Sequence, residues 1–274
     1  MTGTLYVTGT PIGNLSDLSP RAAQTLEDVD FIAAEDTRVT LKLLNHLGIK
    51  KPMISYYEHN KRERGEIICA RIEQGENCAI VTDAGMPCIS DPGEDLIKLC
   101  AERGIKTVVV PGPSAVVSAL AVSGLDTGRF TFEGFLSVNK KSRREHLESL
   151  QNERRTMIFY EAPHKLPATL RDFYEAFGLR KLSIVRELTK IHEEVIRTTT
   201  EEAAEKYSDG SLKGEIVLVL EGKTEDEAEE YTLESAVALA KKLMDSGVKA
   251  TDAAKEAAAV TGFKKNDIYR ELLE

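Results

Sequence analysis

Short apolar runs alternate with amphipathic stretches over the first half of the chain. The β-rich runs are TLYVT, DFIAAE, MISYY, CAIVT and KTVVVP, and helical stretches separate them. Ser19 and Pro20 are typical start signals of the first helix, and Gly48 is a typical stop signal of the second. Strands that alternate with helices favour a largely parallel sheet. We therefore predict an α/β domain over residues 1–118.

From residue 119 to 222 the pattern changes. Strands are predicted at RFTFEGF, TMIFYEA, LSIVREL, EEVIRT and EIVLVLEG, with helices near 142–152 and 165–177. Here strands follow one another more often, which favours a mixed sheet. We predict a second α/β domain over this range.

Residues 223–274 have a different composition. The acidic segment 223–231 predicts a linker, and residues 232–274 read as three short amphipathic helices. Gly247 and Gly262 are the predicted stops, and Thr251 is the predicted N-cap of the middle helix. The tight second turn resembles a helix-turn-helix. Both a phosphate-facing surface with Lys264, Lys265 and Arg270 and a plain helical bundle with a solvated face fit this pattern.

Composition restricts the classes of protein. With 42% apolar and 30% charged residues, the chain is typical of a globular protein. The apolar run 108–125 is broken by prolines and is short for a membrane span, and the N-terminus has no signal-peptide pattern, so we expect no membrane association and a cytoplasmic location. The four cysteines form no C-x-x-C pair, so we expect reduced thiols and no metal site. A net charge of -9 disfavours non-specific coating of nucleic acid but allows a local basic patch.

Three apolar runs each end in a turn rich in glycine and proline. They are LYVTGTPIGNLSDLS (5–19), AIVTDAGMPCISDPG (79–93) and VVVPGPSA (108–115). Loops at the carboxyl ends of parallel strands converge on one crevice, and glycine lets the backbone approach a ligand closely. The chain has neither a dinucleotide fingerprint nor a P-loop, which favours a ligand without an exposed phosphate. The spacing of the three loops is compatible with S-adenosylmethionine, with a sugar or with another adenosine ligand.

Eight segments resemble, in order, those of a known family. They are LYVTGTPIGNLSDLS, AAEDTR, VTDAGMPCISDPG, VPGPSAVVSALAVSGL, FEGFL, FYEAPHKL, RELTKIHEE and KGEIVLVLEG. They resemble the small-subunit ribosomal RNA cytidine 2′-O-methyltransferases, which belong to the tetrapyrrole-methylase superfamily, and the resemblance covers residues 4–222. Lys165 stands where family members often have Arg, and Ser137 stands where a Pro is common.

The resemblance implies a two-domain α/β methylase that binds S-adenosyl-L-methionine in the cleft between its domains. It also implies a homodimer that methylates a cytidine ribose in the decoding centre, within the 16S rRNA of the small ribosomal subunit. The cofactor-binding residues that it implies are Pro11, Asp83, Gly85, Met86, Ser90, Ser114, Ala115, Tyr160, Ala162 and Leu188.

Methyl transfer from a sulfonium to oxygen is an in-line displacement, so alignment lowers most of the barrier and no metal is required. A ribose hydroxyl is a poor nucleophile at neutral pH, and a positioned base contributes roughly 10²- to 10⁴-fold. The candidate catalytic residues are Asp36, His59, Glu161, His164 and Glu187. Each has a structural alternative: Asp36, for example, is also placed to cap the next helix.

Candidate RNA contacts fall in three places. Arg38, Tyr57 and Asn60 follow strands of the first domain, and Arg186 and Lys190 lie in RELTKIHEE. The segment 139–155 is basic, with Lys140, Lys141, Arg143 and Arg144 suited to phosphates. Ion-pair networks and solvated helix faces are the alternatives. Two other functions stay open: a small-molecule tetrapyrrole methylase, which needs no basic segment or C-terminal helices, and a non-catalytic RNA-binding or assembly factor, which needs no glycine loops.

Overall fold

The computed structural model describes residues 2–224, 232–245 and 247–273. The chain divides into two compact units, Met1–Gly222 and Lys223–Glu274. Most of the predicted acidic linker, residues 225–231, lies outside the described residues.

The first sheet has five parallel strands in the order β3-β2-β4-β1-β5. The strands are β1 (Thr4–Thr8), β2 (Phe31–Ala34), β3 (Met53–Ser55), β4 (Cys78–Val81) and β5 (Lys106–Val110). The helices that connect them are α1 (Pro20–Asp28), α2 (Thr37–Leu47), α3 (Lys61–Glu73) and α4 (Gly93–Glu102). Every strand therefore directs its carboxyl end to the same edge of the sheet.

The predicted helix signals at the start of this domain are confirmed. The Ser19 hydroxyl accepts a hydrogen bond from the Ala22 N–H at 3.0 Å, and Gly48 ends α2 at a φ of 72°. Strand β3 is shorter than the MISYY run because Tyr56 turns into the core, where its hydroxyl donates to the Pro92 carbonyl at 3.2 Å.

The second sheet has five strands in the order β6-β7-β10-β8-β9. They are β6 (Phe130–Phe135), β7 (Thr156–Glu161), β8 (Lys181–Arg186), β9 (Glu194–Thr199) and β10 (Ile216–Leu220). Only β6 and β7 pair in parallel, so the predicted mixed sheet is confirmed. The helices that follow β6 in this part of the chain are α6 (Lys140–Ser149), α7 (Leu166–Phe177) and α8 (Thr200–Lys206). The sequence pattern missed α8, which is only seven residues long.

Helix α5 (Ala115–Ser123) joins the two sheets and runs across the predicted boundary at 118/119. Its buried face packs with Ile158, Val185 and Val217 of the second sheet. Ile12 from the first domain and Leu188 from the second belong to the same apolar cluster. Burial of this shared cluster holds the two sheets together.

The second unit contains α9 (Leu233–Asp245), α10 (Ala250–Thr261) and α11 (Lys265–Leu273), packed around a small alanine-rich core. The prediction of Thr251 as N-cap was wrong: the N-cap is Lys249. The N–H groups of Asp252 and Ala253 both donate to the Lys249 carbonyl, so Thr251 already lies in the first turn. No helix in the described ranges is long and apolar enough to cross a membrane.

Candidate active site

The three glycine-rich loops meet at the carboxyl edge of the first sheet. Thr10 and Gly85 exchange backbone hydrogen bonds of 2.9 and 3.1 Å, which join the loops after β1 and β4. The Gly112 N–H points at the Met86 sulfur at 3.3 Å and so joins the β4 loop to the turn after β5. The structure therefore brings together the loops that the sequence marked as one site.

Glycine is required where these loops cross. A Cβ at Gly9 would lie 2.7 Å from the Gly112 Cα and 2.7 Å from the Met86 sulfur, and a Cβ at Gly112 would lie 2.9 Å from the Gly9 Cα. Real Cβ atoms do not approach backbone so closely, and a displaced backbone at this crossing would separate the loops.

A loop from each domain closes the cleft. A Cβ at Gly13 would lie 2.5 Å from the Lys190 Cγ and 2.9 Å from the Thr189 Oγ1, so the β1 loop rests on the loop after β8. On the other side, a Cβ at Gly134, beside a bulge in β6, would lie 3.4 Å from the Ser90 hydroxyl. Two loops of the first sheet, those after β1 and β4, thus contact the second sheet at the loop after β8 and at β6.

Backbone strain is concentrated in these closing loops. Within the described ranges the non-glycine residues of positive φ are Cys88 (71°), Ser90 (65°), Glu187 (51°) and Thr189 (65°). The buried Asp91 Oδ2 and Thr189 Oγ1 atoms also lack a hydrogen-bond partner in the described structure. Strain and unpaired buried polar atoms are typical of ligand sites.

Three of the remaining predicted cofactor residues, Ala115, Tyr160 and Leu188, share an apolar cluster with Ile12 of the β1 loop. Ser114 precedes α5 and makes no side-chain capping bond, and Ala115 begins the helix. Tyr160 is half-buried and contacts Phe132 and Phe135, with ring centroids 4.9 and 5.4 Å apart. Burial raises the pKa of the Tyr160 phenol. The neighbouring Ala162 N–H donates to Glu161 at 2.8 Å.

Acidic groups surround the turn after β4. The Thr82 hydroxyl donates to Glu35 at 2.5 Å, and the Asp36 N–H donates to the Asp83 Oδ1 at 3.1 Å. Burial and then the charge of Glu35 raise the pKa of Asp83. Asp36 caps α2 through the Arg38 N–H at 2.8 Å, and the Arg38 guanidinium lowers the pKa of Asp36 to about 2. The capping alternative for Asp36 is therefore observed.

Glu161 and His164 have different surroundings. The Glu161 carboxylate is buried and accepts from the Thr169 hydroxyl as well as from Ala162. Arg143 donates to the same hydroxyl oxygen at 2.8 Å and pairs with Asp172 at 2.5 Å. The two described hydrogen bonds of Glu161, from Ala162 and Thr169, therefore stabilise the fold of the second domain. His164, three residues beyond β7, is exposed.

Glu187 anchors the loop after β8. Its Oε1 accepts from the Lys190 ammonium at 3.0 Å and from the Glu215 N–H at 2.9 Å. The Glu215 N–H and then Lys190 lower the pKa of Glu187. Arg186 donates to the Lys213 carbonyl and pairs with Glu194, both at 3.0 Å. The structural ion-pair alternative is thus observed for this loop.

The segment after β3 lies at the edge of the first sheet. Tyr57 and His59 are exposed and their rings meet edge to face with centroids 6.1 Å apart. Asn60 accepts from the Tyr57 N–H and donates to the Ser55 carbonyl, so its side chain closes the local turn. Three strand spacings, about 14 Å, separate β3 from β1.

Helix α6 carries the basic cluster. Lys140 is exposed, Lys141 pairs with Glu145 at 3.8 Å, and Arg144 pairs with Glu148 at 2.8 Å. Pairs this exposed contribute little to stability, and their cations can exchange a carboxylate for a phosphate. Arg143 differs, because it faces Thr169 and Asp172 inside the domain.

Sequence reasoning missed a cavity of about 220 Å³ beside the cleft. Its walls include Pro11, Leu15, Val39, Lys42, Leu43 and Asp83. The four-residue spacing of Val39 and Leu43 was visible in the sequence, but only the structure shows that they face the β1 loop. Among the described residues, no group of three or more His, Cys, Asp or Glu is placed to hold a metal ion.

Comparisons with known proteins agree with this geometry. The model of the tetrapyrrole (corrin/porphyrin) methylase family matches residues 4–204. Ribosomal RNA small subunit methyltransferase I of Synechocystis sp. is 44% identical over 273 residues, which cover 99% of this chain and 98% of the relative. The protein of the same name from Thermotoga maritima is 48% identical over 221 residues, which cover 81% of this chain and 99% of the relative.

Two solved structures share the fold. Uroporphyrin-III C-methyltransferase from Thermus thermophilus has a TM-score of 0.57 at 20% identity and is covered to 94%, with 80% of this chain covered. Diphthine synthase has a TM-score of 0.59 at 12% identity and is covered to 90%, again with 80% of this chain covered.

A parallel first sheet, a mixed second sheet and a glycine-lined cleft between them define a two-domain methylase. The chain belongs to the tetrapyrrole methylase family and, within it, to the ribosomal RNA small subunit methyltransferase I group. This confirms the resemblance found in the eight sequence segments.

Proposed function

We propose that the chain uses S-adenosylmethionine to methylate the ribose 2′-hydroxyl of a cytidine in the 16S rRNA of the small ribosomal subunit. The observation that carries this proposal is the near-complete alignment with relatives named for small-subunit rRNA methylation, combined with an intact glycine cleft. The proposed location is the cytoplasm, which contains the ribosomal subunits that serve as substrate. The proposed assembly is a homodimer.

The cleft fits the cofactor in its chemistry. The candidate residues come from the first two loops, from the start of α5 and from the second domain: Pro11, Asp83, Gly85, Met86, Ser90, Ser114, Ala115, Tyr160, Ala162 and Leu188. They combine apolar surface with backbone groups and a hydroxyl that makes no capping bond, as a mostly apolar ligand site requires. When bound, S-adenosylmethionine supplies a sulfonium methyl group.

The chain's own contribution is to orient the ribose hydroxyl and to accept its proton. Asp36 and Glu187 have lowered pKa values, which makes their carboxylates weak bases at neutral pH. We assign them to positioning, Asp36 through α2 and Glu187 through its loop. The buried contacts of Glu161 give it the same kind of role. His59 and His164 remain as candidate proton acceptors, since the imidazole ring offers a nitrogen that can accept a proton.

Binding of a polyanion by a chain of net charge -9 requires a local basic surface. The exposed cations of α6, namely Lys140, Lys141 and Arg144, support such a surface beside the second domain. Arg38, whose side chain is 87% exposed, adds a cation at the start of α2.

The test is transfer of labelled methyl groups from S-adenosylmethionine to small ribosomal subunits that lack their own modification, followed by nuclease mapping. We expect label in one cytidine ribose, loss of label with Asp83→Ala, and normal transfer with Asp28→Ala, an exposed aspartate of α1. His59→Ala and His164→Ala in the same assay identify the proton acceptor.

Cofactor binding without transfer to RNA would favour a small-molecule methylase, and RNA binding without cofactor binding would favour a non-catalytic factor. Sedimentation of the same protein tests the homodimer.

A further inference from the structure

The cavity between α2 and the loop after β1 is distinct from the glycine crossing but shares a wall with it. Pro11 and Asp83, which border the cleft, also line this cavity. A ligand group seated in the cavity would therefore hold its remaining atoms at the mouth of the cleft.

The size and walls of the cavity suit one flat ring. Its volume of about 220 Å³ lies below the roughly 300–1,000 Å³ of pockets for drug-sized ligands. Pro11, Leu15, Val39 and Leu43 supply apolar walls. Leu15 and Val39 are 48% and 36% exposed, so the cavity opens to solvent between apolar side chains that a ring would cover.

The polar groups of the cavity complement one base. Asp83 offers a carboxylate, and its contact with the Asp36 N–H occupies the Oδ1 atom. Lys42 on α2 is a wall residue of the same cavity and carries the one cation among its lining residues. Cytosine carries an exocyclic amino donor together with O2 and N3 acceptors, and carboxylates are its usual partners for the amino group. Uracil presents an acceptor in place of that amino group, which a carboxylate disfavours.

We propose that this cavity receives the base of the target cytidine once it has left its stack. The inference rests on the proposed function and adds the site that selects the nucleotide. Enzymes that modify one nucleotide commonly extrude it into a pocket and read its hydrogen-bonding edge. With the base between Leu15 and α2, the attached ribose lies on the Pro11 side, toward the cleft.

The experiment fills the cavity and leaves the cleft unchanged. Val39→Trp places an indole in it, and Leu41→Trp is the matched control, because Leu41 lies on the same helix, is 47% exposed and is not a wall residue. Methyl transfer to unmodified subunits and S-adenosylmethionine binding are measured for both. We expect kcat/KM to fall about tenfold or more with Val39→Trp, as loss of a base contact predicts. Cofactor affinity should change less than about twofold, and Leu41→Trp should behave as the unaltered chain.

A second pair of variants controls for the possibility that the indole disturbs folding. Lys42→Met keeps the length of the side chain and removes the ammonium, and Lys50→Met does the same at an exposed position outside the cavity. We expect a reduced kcat/KM only for Lys42→Met. Equal activity of all four variants would overturn the base-pocket proposal and leave the proposed function intact. Loss of cofactor binding with Val39→Trp would assign the cavity to the cofactor instead, and absence of transfer by the unaltered chain would overturn both proposals.

Discussion

At the scale of single residues, the acidic groups around the cleft differ in where their hydrogen bonds come from. Glu161 is buried and takes both of its described contacts from its own domain, through the Ala162 N–H and the Thr169 hydroxyl. Asp83 is exposed as a residue, although partial desolvation of its carboxyl raises its pKa, and that carboxyl accepts a single described hydrogen bond, from the Asp36 N–H. A carboxylate with satisfied buried contacts supports the fold, whereas an exposed one is available to a ligand.

Thr169→Val tests the structural role of Glu161. The change keeps the shape of the side chain but removes the hydroxyl that links Glu161 and Arg143. We expect the free energy of unfolding to fall by about 1–3 kcal/mol, the cost of leaving a buried polar group without its partner. Urea unfolding measures it. Thr25→Val, which removes only a bond to the Arg21 carbonyl, should stay within about 0.5 kcal/mol. Equal losses for both variants would contradict this role.

Glu187 links stability to pH. Its pKa is lowered in the folded chain, so its stabilising contribution is fully present above the ordinary glutamate pKa of about 4.3 and is lost as the pH falls through the folded value. We expect Glu187→Gln to be less stable than the unaltered chain at neutral pH and the difference to shrink below about pH 4. Urea unfolding across this range measures it, with Glu27→Gln on the exposed face of α1 as control. A difference independent of pH would exclude the charge of Glu187 as the cause.

At the scale of elements, the crossing of the β1 loop and the β5–α5 turn controls the cleft. Gly9→Ala places a methyl group where the Gly112 backbone already lies, so we expect the two loops to separate. The expected result is a loss of S-adenosylmethionine affinity of at least about tenfold with a lower melting temperature. Gly128→Ala is the matched control, because its new methyl group would meet only the flexible Asp126 side chain, at 3.3 Å. Unchanged binding by Gly9→Ala would remove the crossing from the proposed site.

Local patterns predicted the elements well and their tertiary partners poorly. The β/α alternation, the Ser19 cap and the Gly48 stop depend on neighbouring residues, which the sequence displays directly. The α10 cap at Lys249 was missed because a helix packed by its alanine face can begin before its best capping residue. The convergence of the glycine loops followed from parallel topology. The fixed contacts of Asn60, Arg143 and Glu161 did not, because which side chains face one another is decided by packing between elements.

At the scale of the whole molecule, the cleft and both sheets belong to the unit that ends at Gly222. The apolar clusters of the two sheets draw only on residues before this point. The Thermotoga relative also aligns over nearly its whole length with only 81% of this chain.

We therefore expect the fragment 1–222 to unfold cooperatively and to bind S-adenosylmethionine as the full chain does. Calorimetry and equilibrium binding measure this. If residues 232–274 dock on RNA, the fragment should show a higher KM for subunits at unchanged cofactor affinity. A fragment that fails to fold would show that the helical unit is required for the stability of the methylase unit.

The strand order of the second sheet has a consequence for synthesis. Its central strand, β10, is the last strand in the chain, and it separates β7 from β8, which are made earlier. A nascent chain that has not yet released residues 216–220 can pair β8 with β9 and β6 with β7, but it leaves two apolar strand edges open. Because synthesis proceeds at roughly 5–20 residues per second, these strand edges stay unpaired for seconds before β10 pairs with them. The emerging polypeptide is therefore most exposed to aggregation in the interval before β10 is released and pairs with β7 and β8.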